Sequence, residues 1–189
     1  MTRVEQIKNQ AIALMAERSF EGVSLRQLAE AVGIRPGSIY THYASKGQLL
    51  QELFCDYQED LLSAWMEQRR QGGPRQVLLD FVAVYVRFHL ARVAESRIVQ
   101  LDFRSLDARG KRVVGKLKAQ YEGELDAILR WGVAADQFHL ADVGATRLAI
   151  LAVLQGVCAA RCELRSDEAL AICAEAVPRL VGLAPEARS

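Results

Sequence analysis

Arg35, Ser38, Tyr40, Thr41 and His42 bring a guanidinium, two hydroxyls, a phenol and an imidazole together within eight residues. Nothing around them equips these groups for covalent or acid–base work. The sequence has no glycine-rich phosphate loop, no nucleophile elbow, and no pair of histidines with a carboxylate at metal spacing. His42, His89 and His139 are isolated and read as surface or hydrogen-bonded core residues. Catalytic residues, metal ligands and cofactors are therefore not expected. What the set can do is recognise another molecule. Ile39 and Tyr43, four apart, give a short helix one apolar side. Pro36 fits its first turn, where a missing N–H costs nothing. Arg35, Gly37, Ser38, Tyr40, Thr41 and His42 remain on the other side as donors, acceptors and small contacts. A helix of this profile presents its groups to base edges in a DNA major groove.

Such a helix needs a support. Ser24 is suited to cap a helix carrying Leu25, Leu28, Ala29 and Val32 as an apolar stripe, and Gly33 suits its C-terminal end. Ile34, alone in the turn, plugs the angle between the two helices. A preceding helix from Val4 to Ser19 has Val4, Ile7, Ala11, Leu14 and Met15 on one stripe, and Phe20 and Val23 complete a small core. Arg3 and Lys8, near its start, are candidates for phosphate contact. Beyond, Ser45 caps a long helix running from Lys46 to about Arg70, and Leu49, Leu50, Leu53 and Phe54 pack back on the small core.

The string G-x-x-x-G-S-x-Y-x-H-Y-x-S-K, preceded by Phe20-Glu21-Gly22, resembles the DNA-binding domain of the TetR family of transcriptional repressors. The resemblance is close over roughly the first sixty residues and extends to the remainder only in its all-helical architecture. It implies base readout by Arg26, Arg35, Ser38, Tyr40, Thr41 and His42, with Pro36 and Gly37 allowing close approach. It implies phosphate contacts by Ser24 and Lys46 and a buried role for Tyr43. The expected division is a helix–turn–helix domain over residues 1–46 and a ligand-binding and dimerisation domain over 47–189.

The rest of the chain reads as helices only, giving an all-α protein of about nine helices. Gln71-Gly72-Gly73-Pro74 ends the long helix. Apolar residues on more than one face place Val77 to Ala94 in the middle of a second core. Ser96 to Ser105 is a short helix or irregular link, Asp107 caps a helix to about Ala135, Asp142 one to about Glu163, and Ser166 the last, to about Val181. Pro178 is expected to kink that last helix, because it removes one backbone donor.

Composition narrows the partners. Of 189 residues half are apolar and a quarter charged, with a net charge of +1. A non-specific DNA-binding protein would need a strong overall positive charge, so any contact with nucleic acid depends on a local patch. Residues 1–46 carry six Lys/Arg against four Asp/Glu. This excess is thin for a lone head, and favours two copies reading a near-palindromic operator with half-sites ~34–36 Å apart. The alternatives are a non-specific helical DNA binder and a small all-helical enzyme. No apolar run approaches the ~18 residues of a membrane span, and Met1 to Gln10 has no signal core, so the chain reads as cytoplasmic. Cys158 and Cys162, four apart, could form a thiol or soft-metal site, but buried small hydrophobes is the simpler reading.

By resemblance, the last two helices meet their symmetry mates in a homodimer. Their apolar residues include Leu148, Leu151, Leu154, Leu170, Val177 and Leu180, and small ones at Ala145, Ala149, Gly156, Ala159 and Ala160 allow close approach. Between Arg97 and Lys118 stand seven Lys/Arg against two Asp. The pattern D-x-x-x-x-R-V-V-x-K-L-K-x-x-Y-x-x-x-L-x-x-I-L-x-x-G is similar to TetR regulators that respond to acyl-CoA thioesters. The aromatics usual in that subgroup late in the eighth helix are replaced by Cys158 to Cys162. The resemblance implies a small lipophilic effector. Its apolar part would meet Tyr85, Phe88, Phe103, Tyr121, Leu125 and Trp131, and its phosphates Arg97, Arg104 or Arg112.

Overall fold

The structure is a computed structural model and describes residues 2–68, 71–160 and 165–183. Among these residues it consists of nine α-helices and one short 3-10 turn, with no strand. The order is α1 (Arg3–Arg18), α2 (Leu25–Val32), α3 (Pro36–Ile39), α4 (Lys46–Met66), α5 (Pro74–Ala91) and α6 (Val93–Leu101). The 3-10 turn (Phe103–Ser105), α7 (Ala108–Ala134), α8 (Val143–Ala159) and α9 (Ser166–Leu180) follow.

Local capping sets most of the boundaries. Thr2 and Glu5 cap α1 reciprocally, and Ser24 and Gln27 do the same for α2. Asp107 and Asp142 accept N–H bonds at 2.6 Å from Gly110 and Ala145. Two expectations change. The recognition helix does not run through Tyr43 but ends at Ile39. Thr41 Oγ1 donates to the Ser38 carbonyl at 2.7 Å, and this side-chain bond competes with continued helix. Ser166 is the first residue of α9, not its cap. The N–H of Arg165 donates to the Glu168 carboxylate at 2.8 Å, so capping begins one residue earlier. Pro178 lies within the last turn of α9.

Two compact units emerge, and they differ from a cut after Lys46. One comprises residues 1–60 and 92–118, the other 61–91 and 119–189. In the first, Ile7, Ala11, Met15, Leu28, Ile39, Tyr43, Leu50 and Phe54 form the core, and Ile98, Leu106 and Val114 join it from α6, the following turn and α7. The three-helix head is too small to cover its own apolar faces, and residues from 92–118, far along the chain, complete the burial. In the second unit, Trp65, Phe81, Tyr85, Tyr121, Leu125, Ile150, Leu154, Cys173 and Val177 are buried together from α4, α5, α7, α8 and α9. Phe138, in the link between α7 and α8, drops its ring onto Gly132, where any side chain would overlap it.

Candidate nucleic-acid interface

The turn between α2 and α3 is tightly specified. Gly33 adopts a left-handed φ of +74°, and the Ile34 N–H donates back to the Ala29 carbonyl at 2.9 Å. Arg35 stays extended, as a residue before proline must. The helix face then divides as the spacing requires. Ile39 and Tyr43 are buried, while Arg35, Pro36, Gly37, Ser38, Tyr40, Thr41 and His42 are exposed. Tyr40 is 58% exposed, an aromatic ring standing in solvent among polar groups. A Cβ at Gly37 would meet nothing within 4 Å, so the fold has no steric need for glycine there. Burial pushes the Tyr43 hydroxyl up to about 12, with Glu52 adding to it, so this phenol stays neutral inside the head.

Three predicted residues meet at one place. An open groove of about 480 Å3 is lined by Ser24, Tyr40 and Lys46 together with Glu21, Gln27, Ala44 and Ser45, among others, so one carboxylate stands beside the lysine. It lies over the N-termini of α2 and α4, both of which favour anions. The start of α4 was expected beside Ser24 by resemblance, whereas Gln27 and Ala44 were not among the expected residues.

The cations are more constrained than the sequence suggests. Lys46 Nζ donates to the Phe20 carbonyl at 2.9 Å and lies 4.0 Å from the Phe20 ring centroid. An ammonium has three N–H donors, so this does not exclude a phosphate contact, but it fixes where the charge sits. Arg26 pairs with Glu30 at 3.2 Å on an exposed face, a contact weak enough to exchange for DNA. Lys8 is different: it binds Asp56 at 2.7 Å and Glu52 at 3.3 Å within the unit, which argues against its candidacy for phosphate. Arg3 is exposed and bonds Gln6 at 2.7 Å.

The residues expected to hold an effector are distributed over the two units. In the second, Tyr85, Tyr121 and Leu125 are buried, with Phe88 packed partly against them. The Tyr85 and Tyr121 rings lie 6.2 Å apart, and Phe81 stacks on Tyr121 at 4.8 Å. Trp131 stands apart, 44% exposed, beside a small cleft with Gly72 and Val77. In the first unit, Arg97, Arg104 and Arg112 are exposed, and Phe103 leans on Phe54 at 6.0 Å.

The dimerisation set divides as well. Leu151, Leu154 and Val177, expected at the dimer contact, are buried in this chain's own core instead. Helical spacing aims them at α5 and at each other's helix. Leu148 is 70% exposed, Leu180 is exposed and Leu170 is partly buried, and Ile172, outside the expected set, is 42% exposed. Burial pushes the Cys158 thiol up to about 12 with Cys173 nearby, and burial raises Cys173 to about 11. Both stay protonated and unreactive, and Cys162 lies outside the described residues. Among the described residues, no three or more His, Cys, Asp or Glu gather as metal ligands, and no helix is long and apolar enough to cross a membrane.

Comparison with known proteins agrees with this geometry. The HTH-type transcriptional repressor KstR2 of Rhodococcus jostii strain RHA1 is 32% identical over 70 residues, 37% of this chain and 34% of that protein. The chain thus matches about a third of the length of this curated relative. A tetR-family regulatory protein from Rhodococcus RHA1 superposes with a TM-score of 0.91 at 23% identity, covering 97% of this chain and 99% of that one. FadR from Bacillus subtilis, solved in complex with stearoyl-CoA, superposes with a TM-score of 0.74 at 17% identity over 94% and 97%. At such identities the structural likeness speaks for the fold. Residues 7–53 match the family model of bacterial regulatory proteins of the tetR family, and residues 71–159 that of the tetracyclin repressor-like C-terminal domain. With both family domains present in order, the chain belongs to the TetR family.

Proposed function

We propose that the protein is a sequence-specific DNA-binding transcriptional regulator, a repressor released by a small lipophilic effector. The observation that carries the reading is the exposed edge from Arg35 to His42, held on a capped turn whose inner side, Ile39 and Tyr43, is fully buried. Such an edge has no internal packing role, and its groups match those that read bases. The net charge of +1 disfavours a purely non-specific binder. The test is an anisotropy titration of the chain against the intergenic duplex beside its own gene and a shuffled duplex of equal length. Equal affinity for the two would overturn the proposal.

Two finer assignments belong to the same reading. A homodimer through the outer faces of α8 and α9 is supported by exposed Leu148, Ile172 and Leu180, and by open space around Gly156, where a second helix could approach. A strictly monomeric species in sedimentation would remove it. For the effector, an acyl-CoA is supported by the bound stearoyl-CoA of the Bacillus subtilis FadR structure and by exposed Arg97, Arg104 and Arg112. Stearoyl-CoA is expected to dissociate the protein–DNA complex, and Arg104→Ala or Arg112→Ala to lose that response while keeping DNA affinity. Undiminished release from both variants would sink the phosphate assignment.

A further inference from the structure

The backbone of Phe20 is held on both sides, through the two peptide units that meet at its Cα. Its N–H donates to the Asp102 carboxylate at 3.4 Å, and its carbonyl accepts from Lys46 Nζ at 2.9 Å. Lys46 is the first residue of α4, and Asp102 caps the C-terminal end of α6, its own N–H donating to the Ile98 carbonyl at 2.8 Å. Phe20 and Asp102 are both buried. Four residues after Phe20, Ser24 caps α2, and Ser24, Tyr40 and Lys46 line the groove over the two helix N-termini. Asp102 reaches Lys46 along the Phe20 backbone and through the charge of its own carboxylate.

A buried carboxylate is a costly acceptor for a single N–H. Burial raises the Asp102 pKa, Glu21 pushes the same way, and the Phe20 N–H, Lys46 and Arg97 oppose them. The carboxylate nevertheless ties α6 to the loop before α2, at the point where α4's first cation is anchored. The placement of Lys46 therefore depends on a residue more than fifty positions downstream.

We propose that Asp102 is a positioning residue for DNA binding: its bond to the Phe20 N–H fixes the backbone of Phe20, whose carbonyl, in the next peptide unit, holds the Lys46 ammonium at the phosphate groove. This rests on the DNA-binding reading above. An end of α6 that shifts would release Phe20, and with it Lys46, without disturbing Tyr40 or the base-reading edge. Asp102 thus acts on the sequence-independent part of binding.

The test uses the full chain, with wild type, Asp102→Ala, Asp102→Asn, Lys46→Ala and the Asp102→Ala/Lys46→Ala double variant. Each is titrated with the intergenic duplex and a shuffled duplex across a salt series, and its melting temperature is recorded. Asp102→Ala is expected to weaken binding to both duplexes about tenfold and to lower the salt slope by about one per head, as loss of one phosphate contact would. Asp102→Asn, which keeps an acceptor of the same shape, restores affinity to within about threefold. The double variant binds no more weakly than Lys46→Ala alone. The proposal is overturned if Asp102→Ala binds with wild-type affinity and slope, if Asn fails as Ala does, or if the two losses add. If Asp102→Ala does not fold, Asp102→Glu, which displaces the carboxylate by one methylene, is read in its place by the same criteria. Failure of the wild type itself to prefer the intergenic duplex would count against the DNA-binding reading and is distinguishable from all of these.

Discussion

The two compact units solve opposite problems. The first carries 14 Lys and Arg against 11 Asp and Glu, and its functional groups stand outside a small core. The second carries 10 against 12, and its most distinctive groups are aromatic and inside. Trp65 meets Phe81 edge-on at 5.1 Å, Phe81 stacks on Tyr121, and Tyr85 stacks on His89 at 3.9 Å. In the head, then, the side chains proposed to read DNA stand outside the core and contribute little to its burial. In the second unit the aromatics proposed to meet a lipophilic guest are also those that pack the helices together. Substitutions in the head should separate binding from stability, whereas substitutions in the aromatic column should not.

The sharpest way to break this contrast is at Phe81. Phe81→Ala removes a fully buried ring touching two others, and is expected to cost about 3–5 kcal/mol of unfolding free energy in a denaturant titration. A loss below 1 kcal/mol would mean that the column is not the second unit's core. Next in size is an acid effect at His89. Its Nδ1 lies 2.9 Å from the Tyr85 carbonyl and so carries the proton, and burial holds the imidazole down to a pKa of about 4. The unfolded chain takes up a second ring proton below 6.5, the folded chain only below about 4. Between those values the unfolded state binds more protons, so stability falls as the pH drops, by about 3 kcal/mol in full, and is unaffected above 6.5. The melting temperature of His89→Gln should fall less steeply over that window. Parallel curves for the two proteins would refute the assignment.

In the head the signs reverse. Tyr40→Ala is expected to reduce discrimination between operator and shuffled duplex by about 1–3 kcal/mol while leaving the melting temperature within a degree or two. An unchanged ratio of affinities would place base reading elsewhere. Smallest is Gly37→Ala. In open space on a helix it should stabilise the chain by up to about 1 kcal/mol, yet weaken operator binding because the added methyl stands where the duplex approaches. A variant that is more stable and binds equally well would show that Gly37 serves neither packing nor contact.

Much of the head was legible because its signals are local. Ser24, Gly33 and Pro36 act on the backbone within a turn of themselves, and the four-residue spacing of Ile39 and Tyr43 is enough to say which side faces in. The length of α3 was not legible, since it depends on which acceptor the Thr41 hydroxyl finds. Lys46 read as a phosphate contact by resemblance and Lys8 only as a candidate, but the partners of neither were legible: Asp56 and Glu52 for Lys8 and the Phe20 carbonyl for Lys46. Along α8 and α9 periodicity marked apolar residues correctly, but it could not tell Leu151 and Leu154, buried in their own subunit, from Leu148, which is not. A helix flanked on several sides has more than one apolar face, and the pattern alone does not say which neighbour each face meets.

Most of the helices, the caps at Ser24, Ser45 and Asp142, and the chemistry of the edge from Arg35 to His42 could be read from the amino-acid order alone, because these rest on hydrogen bonds and periodicities spanning a few residues. Only the tertiary structure decided that residues 92–118 complete the core of the head, that Phe138 fills the space over Gly132, and that Asp102 reaches the peptide of Phe20. Contacts of that kind join residues far apart in the chain. Which distant surfaces meet is settled by the shape left once every apolar face has been covered.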